Sequence, residues 1–266
     1  MRIATWNVNS LRTRLDRVLA FLERSSIDVL ALQETKCRDD QLPVAPFEAA
    51  GYEVAHTGYH QWNGVAMVSR VGLEDVATSF ADQPAFGKPG QEPRVEARAI
   101  GATCGGVRLW SLYVPHGRAL TDPHYAYKLA WLDGLRADAA AWLQADPRAQ
   151  VGLLGDWNVI PRDTDVWDVT AFEGHTHVSA PERAAFAAFE EAGYTEVTRE
   201  HLPAEHTYTY WDYQQLAFPR NRGMRIDFAY ASPALRDRVT SVAIDRDERR
   251  GKGASDHVPV VLDLAG

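Results

Sequence analysis

The chain reads as an α/β protein with two largely antiparallel sheets at its centre and helices packed outside them. Three observations carry this. Eight short apolar stretches recur along the sequence, many bounded by Gly or Pro. Only three longer stretches show helical periodicity, too few for the strand–helix alternation of a doubly wound parallel sheet. No linker composition or short-period repeat interrupts the 266 residues, so one domain over 1–266 is expected.

In chain order, strands are expected at Ile3–Asn7, Asp28–Gln33, Gly64–Ser69, Arg94–Thr103, Val107–Val114, Val151–Gly155, Ile226–Ala231 and Val258–Leu264. Thr103-Cys104-Gly105-Gly106 reads as a hairpin turn between two of them. Leu11, Leu15, Val18, Leu19 and Leu22 fall on one face of a first helix. Leu129, Leu132, Ala139, Trp142 and Leu143 mark a second. A third opens at Ser179-Ala180-Pro181-Glu182, a capping box with Pro in the first turn, and ends near Gly193. Pro84–Pro93 reads as a surface loop.

Composition narrows the function classes. A chain of this length and 45% hydrophobic content buries its core without staples. Cys37 and Cys104 are too few for a disulfide framework and read as reduced thiols of a cytoplasmic protein. No run approaches the roughly 20 apolar residues of a membrane span, and the opening MRIATWNVNS reads as a buried strand rather than a signal peptide. There is no GxSxG elbow, Walker A loop, dinucleotide fingerprint or zinc-type Cys/His spacing. The net charge of −8 does not suggest a polyanion partner. However, Arg220–Lys252 holds nine basic residues against five acidic ones, a local basic stretch compatible with DNA.

The informative pattern lies at the strand ends. Ile3-Ala4-Thr5-Trp6 ends in Asn7; Val29-Leu30-Ala31-Leu32 runs into Gln33-Glu34; Val151–Gly155 runs into Asp156-Trp157-Asn158. Asp227 opens another apolar run, and Ser255-Asp256-His257 immediately precedes Val258. Polar groups ending buried strands can gather on one rim of a sandwich. An oxygen-rich set of this kind suits a hard cation such as Mg²⁺ or Mn²⁺. A carboxylate-oriented imidazole beside it suits water attack on phosphorus.

At these residues the chain resembles the endonuclease/exonuclease/phosphatase superfamily, and specifically its exonuclease III branch. The motifs are TWNVNSLR at Thr5–Arg12, DVLALQETK at Asp28–Lys36, LGDWNV at Leu154–Val159, NRGMRIDFAYAS at Asn221–Ser232 and SDHVPV at Ser255–Val260. GDxN and SDH mark the superfamily; QETK and NRGMRID carry the narrower likeness. The resemblance implies a four-layered α/β sandwich and a metal-dependent DNA-repair nuclease acting as a monomer. The expected substrate is double-stranded DNA with abasic sites or damaged 3′ ends. The expected cofactor is Mg²⁺, one or two ions, with Mn²⁺ able to substitute.

The same resemblance implies roles. Glu34 binds metal, helped by Asn7 and Asp256, with Asp156, Asn158 and His257 within the metal's surroundings. Asp156 orients or deprotonates the attacking water, and Asn158 holds phosphate oxygens. His257, oriented by Asp227, polarises the scissile phosphate. Tyr113, in LYVPHG, supports the phosphate or the leaving oxygen. Trp211 and Met224 match pocket and wedge positions, and Arg222, Arg225, Arg249 and Arg250 are expected to face DNA. Two departures stand out: His116 replaces an Asn or Gln common in relatives, and an Asp-Thr/Ser-Phe-Arg segment is reduced to Glu196-Val197-Thr198-Arg199. A phosphatase with another substrate would lack QETK and NRGMRID, and a non-catalytic nucleic-acid-binding regulator would have eroded Glu34, Asp156 or His257. All of these are present.

Overall fold

The computed structural model describes residues 1–88 and 90–266. One six-stranded sheet runs in the order β13 (Val239–Ile244), β14 (Val260–Leu264), β1 (Arg2–Asn7), β2 (Val29–Gln33), β4 (Val65–Ser69), β3 (Glu53–Thr57). The second runs β11 (Thr195–Glu196), β12 (Asp227–Ala231), β10 (Val151–Asp156), β9 (Val107–Tyr113), β8 (Ala99–Cys104), β5 (Glu74–Ala77). Among the described residues only β1/β2 and β10/β9 pair in parallel, so both sheets are mixed but mainly antiparallel, as expected.

Side-chain alternation builds four layers. Along β1, Ile3 points to the other sheet and Ala4 and Trp6 point outward. Ile3, Val29, Ala31 and Met67 meet Ala102, Leu109, Leu154 and Ala229 between the sheets. Outside the first sheet, Trp6, Leu30 and Leu32 pack on Val18, Phe21 and Leu22 of α1 (Leu11–Arg24). Outside the second, Trp110, Leu112 and Leu153 pack with Trp131 and Leu135 of α3 (Pro123–Ala145) and Phe186 and Phe189 of α4 (Ala180–Glu191). Among the described residues there are also three short helices, α2 (Val44–Ala49), α5 (Val197–His201) and α6 (Pro233–Arg236). Asp122 and Ser179 cap α3 and α4, and Ser179 with Glu182 forms the expected capping box.

Some expectations change. Arg94–Thr103 is not one strand: Glu96-Ala97-Arg98 turns between β7 (Arg94–Val95) and β8, with the Arg98 amide donating to Glu96 O at 2.8 Å. β7 pairs with β6 (Ala85–Phe86), so the expected loop at Pro84–Pro93 is entered and left through a two-stranded ribbon; its Pro89 lies outside the described residues. Cys37 and Cys104 are buried free thiols. Among the described residues, no helix is long and apolar enough to cross a membrane.

Candidate active site

Strand register gathers the polar residues on one rim. Asp156, last in β10, pairs with Tyr113 at the end of β9 and with Asp227 at the start of antiparallel β12. In the other sheet Asn7 pairs with Gln33, so Glu34 follows directly beside it. Sheet-to-sheet packing then closes the gap: Asn7 Nδ2 donates to Glu34 Oε1 at 2.8 Å and to Asp156 Oδ2 at 3.0 Å. The turn before β14 delivers His257, whose Nδ1 lies 2.8 Å from Asp227 Oδ2 and whose Nε2 lies 3.8 Å from Asp156 Oδ2. Trp6 Nε1 holds His257 O at 3.1 Å, and Ser255 Oγ donates to Asn7 O at 2.8 Å, tying that turn to β1.

Backbone conformation is constrained where the chemistry is. Glu34, Lys36 and Asn158 have φ of +53°, +52° and +49°, a region non-glycine residues enter at some cost and mostly at functional sites. The turn at Gly64 is tight: a Cβ there would sit 2.1 Å from Thr35 Oγ1, next to Glu34. Asn158 is held from all sides. Its Nδ2 donates to Val114 O, its Oδ1 lies 3.0 Å from His177 Nε2, and its carbonyl accepts from Lys128 Nζ at 2.6 Å.

The electrostatics separate the titrating groups. Burial drives the Asp156 carboxyl up to about 7, the imidazolium of His257 offsetting part of this and the neighbouring carboxylates adding to it. Burial alone would lower His257, but Asp227 and Asp156 overcome it and lift it to about 10. Burial also opposes the charge of Glu34, yet Lys36, 2.9 Å away, and Asn7 hold it below its ordinary value. Tyr113 is pushed well up by burial and by Glu34.

Ligand atoms of Glu34, Asp156 and His257 lie within 4.8 Å of one another, so these residues can hold a metal ion. The fit is physical: the three carboxylates of Glu34, Asp156 and Asp227 share only the cations of Lys36 and His257, and Asp156 is destabilised by burial and by its like-charged neighbours. His257 reaches the same point, but as an imidazolium it suits donation to an anionic oxygen; ligation would require it to lose that proton. Asp256 lines the cleft outside this group of three, its Oδ1 accepting from Asn9 Nδ2 at 3.1 Å. Asn7 turns its amide nitrogen to the carboxylates while its oxygen accepts from the Asn9 amide, so here it acts as a donor.

A cleft of about 430 Å³ continues from this rim, sharing His116, His177, Tyr210 and Met224 with it. Its walls carry Trp167, Phe172, Arg118 and Arg222, with the Arg222 guanidinium 4.7 Å from the Trp167 ring. Met224 lines this cleft. Trp211 does not: it is 1% exposed, packed with Tyr208, Ala217 and Val258. Tyr210, its neighbour, faces the cleft instead, edge-on to His257 at 4.9 Å. Arg225 is corrected too. It is fully buried, donating to Leu202 O and Thr198 O, and cannot meet a phosphate without leaving the core. The Arg220–Lys252 stretch is therefore not one basic face. Arg249 donates to Trp211 O and Asp212 O, and Arg250 pairs with Asp247 at 2.9 Å.

Lys128, His177, Trp167, Phe172 and Arg118 were not anticipated. Only Lys128 leaves a trace in the sequence, as a cation in helical register with the buried Trp131, Leu132 and Leu135 of α3. Arg199, the remnant of the reduced segment, pairs with Asp165 at 2.6 Å.

A four-layered sandwich with paired carboxylates and an Asp-oriented imidazole on one rim defines a class: hydrolases that act on phosphate esters. The Endonuclease/Exonuclease/phosphatase family model matches residues 4–257. The chain belongs to this family, in its exonuclease III branch. It is 29% identical to an exodeoxyribonuclease of Bacillus subtilis over 98% of both chains. Among solved structures it is similar to a 3′ phosphatase from Neisseria bound to a product DNA hairpin, at TM-score 0.92 and 33% identity over 100% of both chains. It is similar also to an AP endonuclease from Archaeoglobus fulgidus, at TM-score 0.90 and 33% identity over 100% of both.

Proposed function

We propose that this chain is a Mg²⁺-dependent DNA-repair phosphodiesterase, with Mn²⁺ able to substitute, acting as a monomer in the cytoplasm and as one functional unit over 1–266. It cuts duplex DNA 5′ to abasic sites and removes nucleotides or blocking phosphates from 3′ ends. The observation that carries this reading is the rim where Glu34, Asp156 and His257 converge, opening onto an aromatic and cationic cleft.

Glu34 and Asp156 would hold the ion, one or two in number, with Asn7 and Asp256 supporting. When bound, the ion neutralises phosphate charge and lowers the pKa of water. Asp156 takes a proton from the attacking water as the new P–O bond forms. His257 Nε2, oriented by Asp227, donates to a phosphoryl oxygen. Asn158 steadies the phosphate region, and Tyr113 donates to the phosphate or to the departing 3′ oxygen as the P–O3′ bond breaks. Arg118 and Arg222 stand where flanking phosphates would pass, while Arg249 and Arg250, committed to backbone carbonyls and to Asp247, contribute less. The cleft is wide enough for a nucleotide as well as a bare sugar, which suits trimming of ordinary 3′ ends.

The test is nicking of depurinated plasmid, and release of phosphate from a 3′-phosphorylated duplex, with Mg²⁺ and with EDTA. Cleavage that requires the ion supports the reading. Full activity in EDTA, or no cleavage of either substrate, ends it.

A further inference from the structure

Beside Tyr113 lies a buried charge that the reaction as described does not use. Arg98 is 5% exposed and stands outside the lining of the cleft. Its guanidinium lies 4.8 Å from the Tyr113 ring centroid, within cation–π range. The group is fixed on every side. Nε meets Glu96 Oε2 at 2.5 Å, Nη2 donates to Asn63 Oδ1 at 3.3 Å, and Nη1 reaches Tyr113 O at 3.4 Å. The backbone is tied as well, the Tyr113 amide donating to Arg98 O at 2.7 Å. Asn63 O in turn accepts from the Lys36 amide, so the same cation braces the turn that carries Glu34.

A buried ion pair is a costly way to hold two loops together, because a well-packed apolar pair does as well. What an apolar pair cannot do is act on a phenol. A cation on the ring face fixes the ring's orientation. It also favours the partial negative charge that a phenol oxygen gains while donating a hydrogen bond. Glu96 keeps the planar group in register with the ring.

We propose that Arg98, held by Glu96, is a positioning residue for the Tyr113 hydroxyl during phosphodiester cleavage. The proposal rests on the reading of the site given above. It accounts for the place of the Glu96–Arg98 turn, which interrupts a stretch otherwise apolar enough to continue as a strand.

A double-mutant cycle tests it, with single-turnover and steady-state rates on abasic duplex for wild type, Arg98→Met, Tyr113→Phe and the double variant. Arg98→Met is expected to lower kcat by about tenfold or more with KM nearly unchanged. In the Tyr113→Phe background the same change is expected to cost less than about twofold, because the hydroxyl it serves is gone. Arg98→Lys, which keeps the charge and loses the planar contact, is expected to fall between; it replaces Arg98→Met in the cycle if that variant does not fold. Equal losses in both backgrounds overturn the proposal and leave Arg98 a brace between loops. A Tyr113→Phe variant with wild-type rates overturns the role of Tyr113 and the proposal with it. An absence of cleavage by the wild type overturns the reading of the site itself.

Discussion

Asp156 and His257 show how burial and partner charge divide protons at single residues. His257 is lifted from 6.5 to about 10, so its contribution to stability is full at low pH and is lost as pH rises through that window. Asp156 is lifted from 3.8 to about 7, which also favours the protonated folded state and also fades as pH rises. In EDTA the melting temperature is therefore expected to fall as pH rises, through Asp156 between about pH 3.8 and 7 and through His257 between about pH 6.5 and 10. Asp227→Asn, which removes the main partner of His257, should flatten that fall; melts of both proteins across the range decide it, and a rise in the wild type contradicts the assignment. Trp211 teaches a different lesson. An extended segment turns Tyr210 and Trp211 to opposite sides, and nothing in YTYWDY tells which side meets the cleft. With Trp211 buried, Trp211→Ala is expected to cost about 3–5 kcal/mol. Its preference for abasic over intact DNA should survive, as paired denaturation and cleavage measurements would reveal.

At the scale of elements, the site depends on how β10 and α3 are fixed. Gly155 has φ +154°, and a Cβ there would lie 1.9 Å from Leu112 O in the neighbouring strand. Gly155→Ala should therefore cost roughly 2–4 kcal/mol and displace Asp156, which follows it. Urea unfolding and cleavage rates should fall together, and a variant of normal stability would mean the strands can part without cost. Lys128 of α3 and Glu182 of α4 form a fully buried pair at 2.5 Å. Burial lowers Lys128 and Glu182 restrains that fall, while Lys128 also carries the Asn158 carbonyl. Lys128→Met should cost about 3–5 kcal/mol by stranding the carboxylate. Lys128→Met with Glu182→Gln should recover part of that in the same denaturation assay; no recovery would place the loss at Asn158 instead.

Across the whole molecule, charge is arranged locally. The net charge is −8, yet the cleft presents Arg118 and Arg222. Arg118→Gln and Arg222→Gln should each flatten the salt dependence of DNA binding by about 0.9 if each meets one phosphate. The Arg249→Gln, Arg250→Gln pair should change the slope by less than the cleft pair, since Arg249 is committed to backbone carbonyls and Arg250 to Asp247. Titrations at several salt concentrations would measure both, and a larger effect from Arg249 and Arg250 would move the DNA path away from the cleft.

The strands legible in the sequence were the inner strands of the two sheets, β14, β1, β2 and β4 in one and β12, β10, β9 and β8 in the other. Those strands are covered on both faces and so read as apolar runs. In the two large sheets the missed strands β3, β13, β5 and β11 are the four edges, where half-exposed side chains dilute the signal, and the two-residue β6 lies in the stretch that reads as a loop. The same rule governs the site. Asn7, Glu34, Asp156, Asp227 and His257 could be picked out because each ends or opens a buried run, and a charged group next to a core strand is conspicuous in one dimension. Trp167, Phe172, Tyr210 and Arg118 could not, nor could the burial of Trp211 and Arg225. They lie on irregular segments with no period to read, and only the packing of one loop on another decides which side chain meets the cleft and which meets the core.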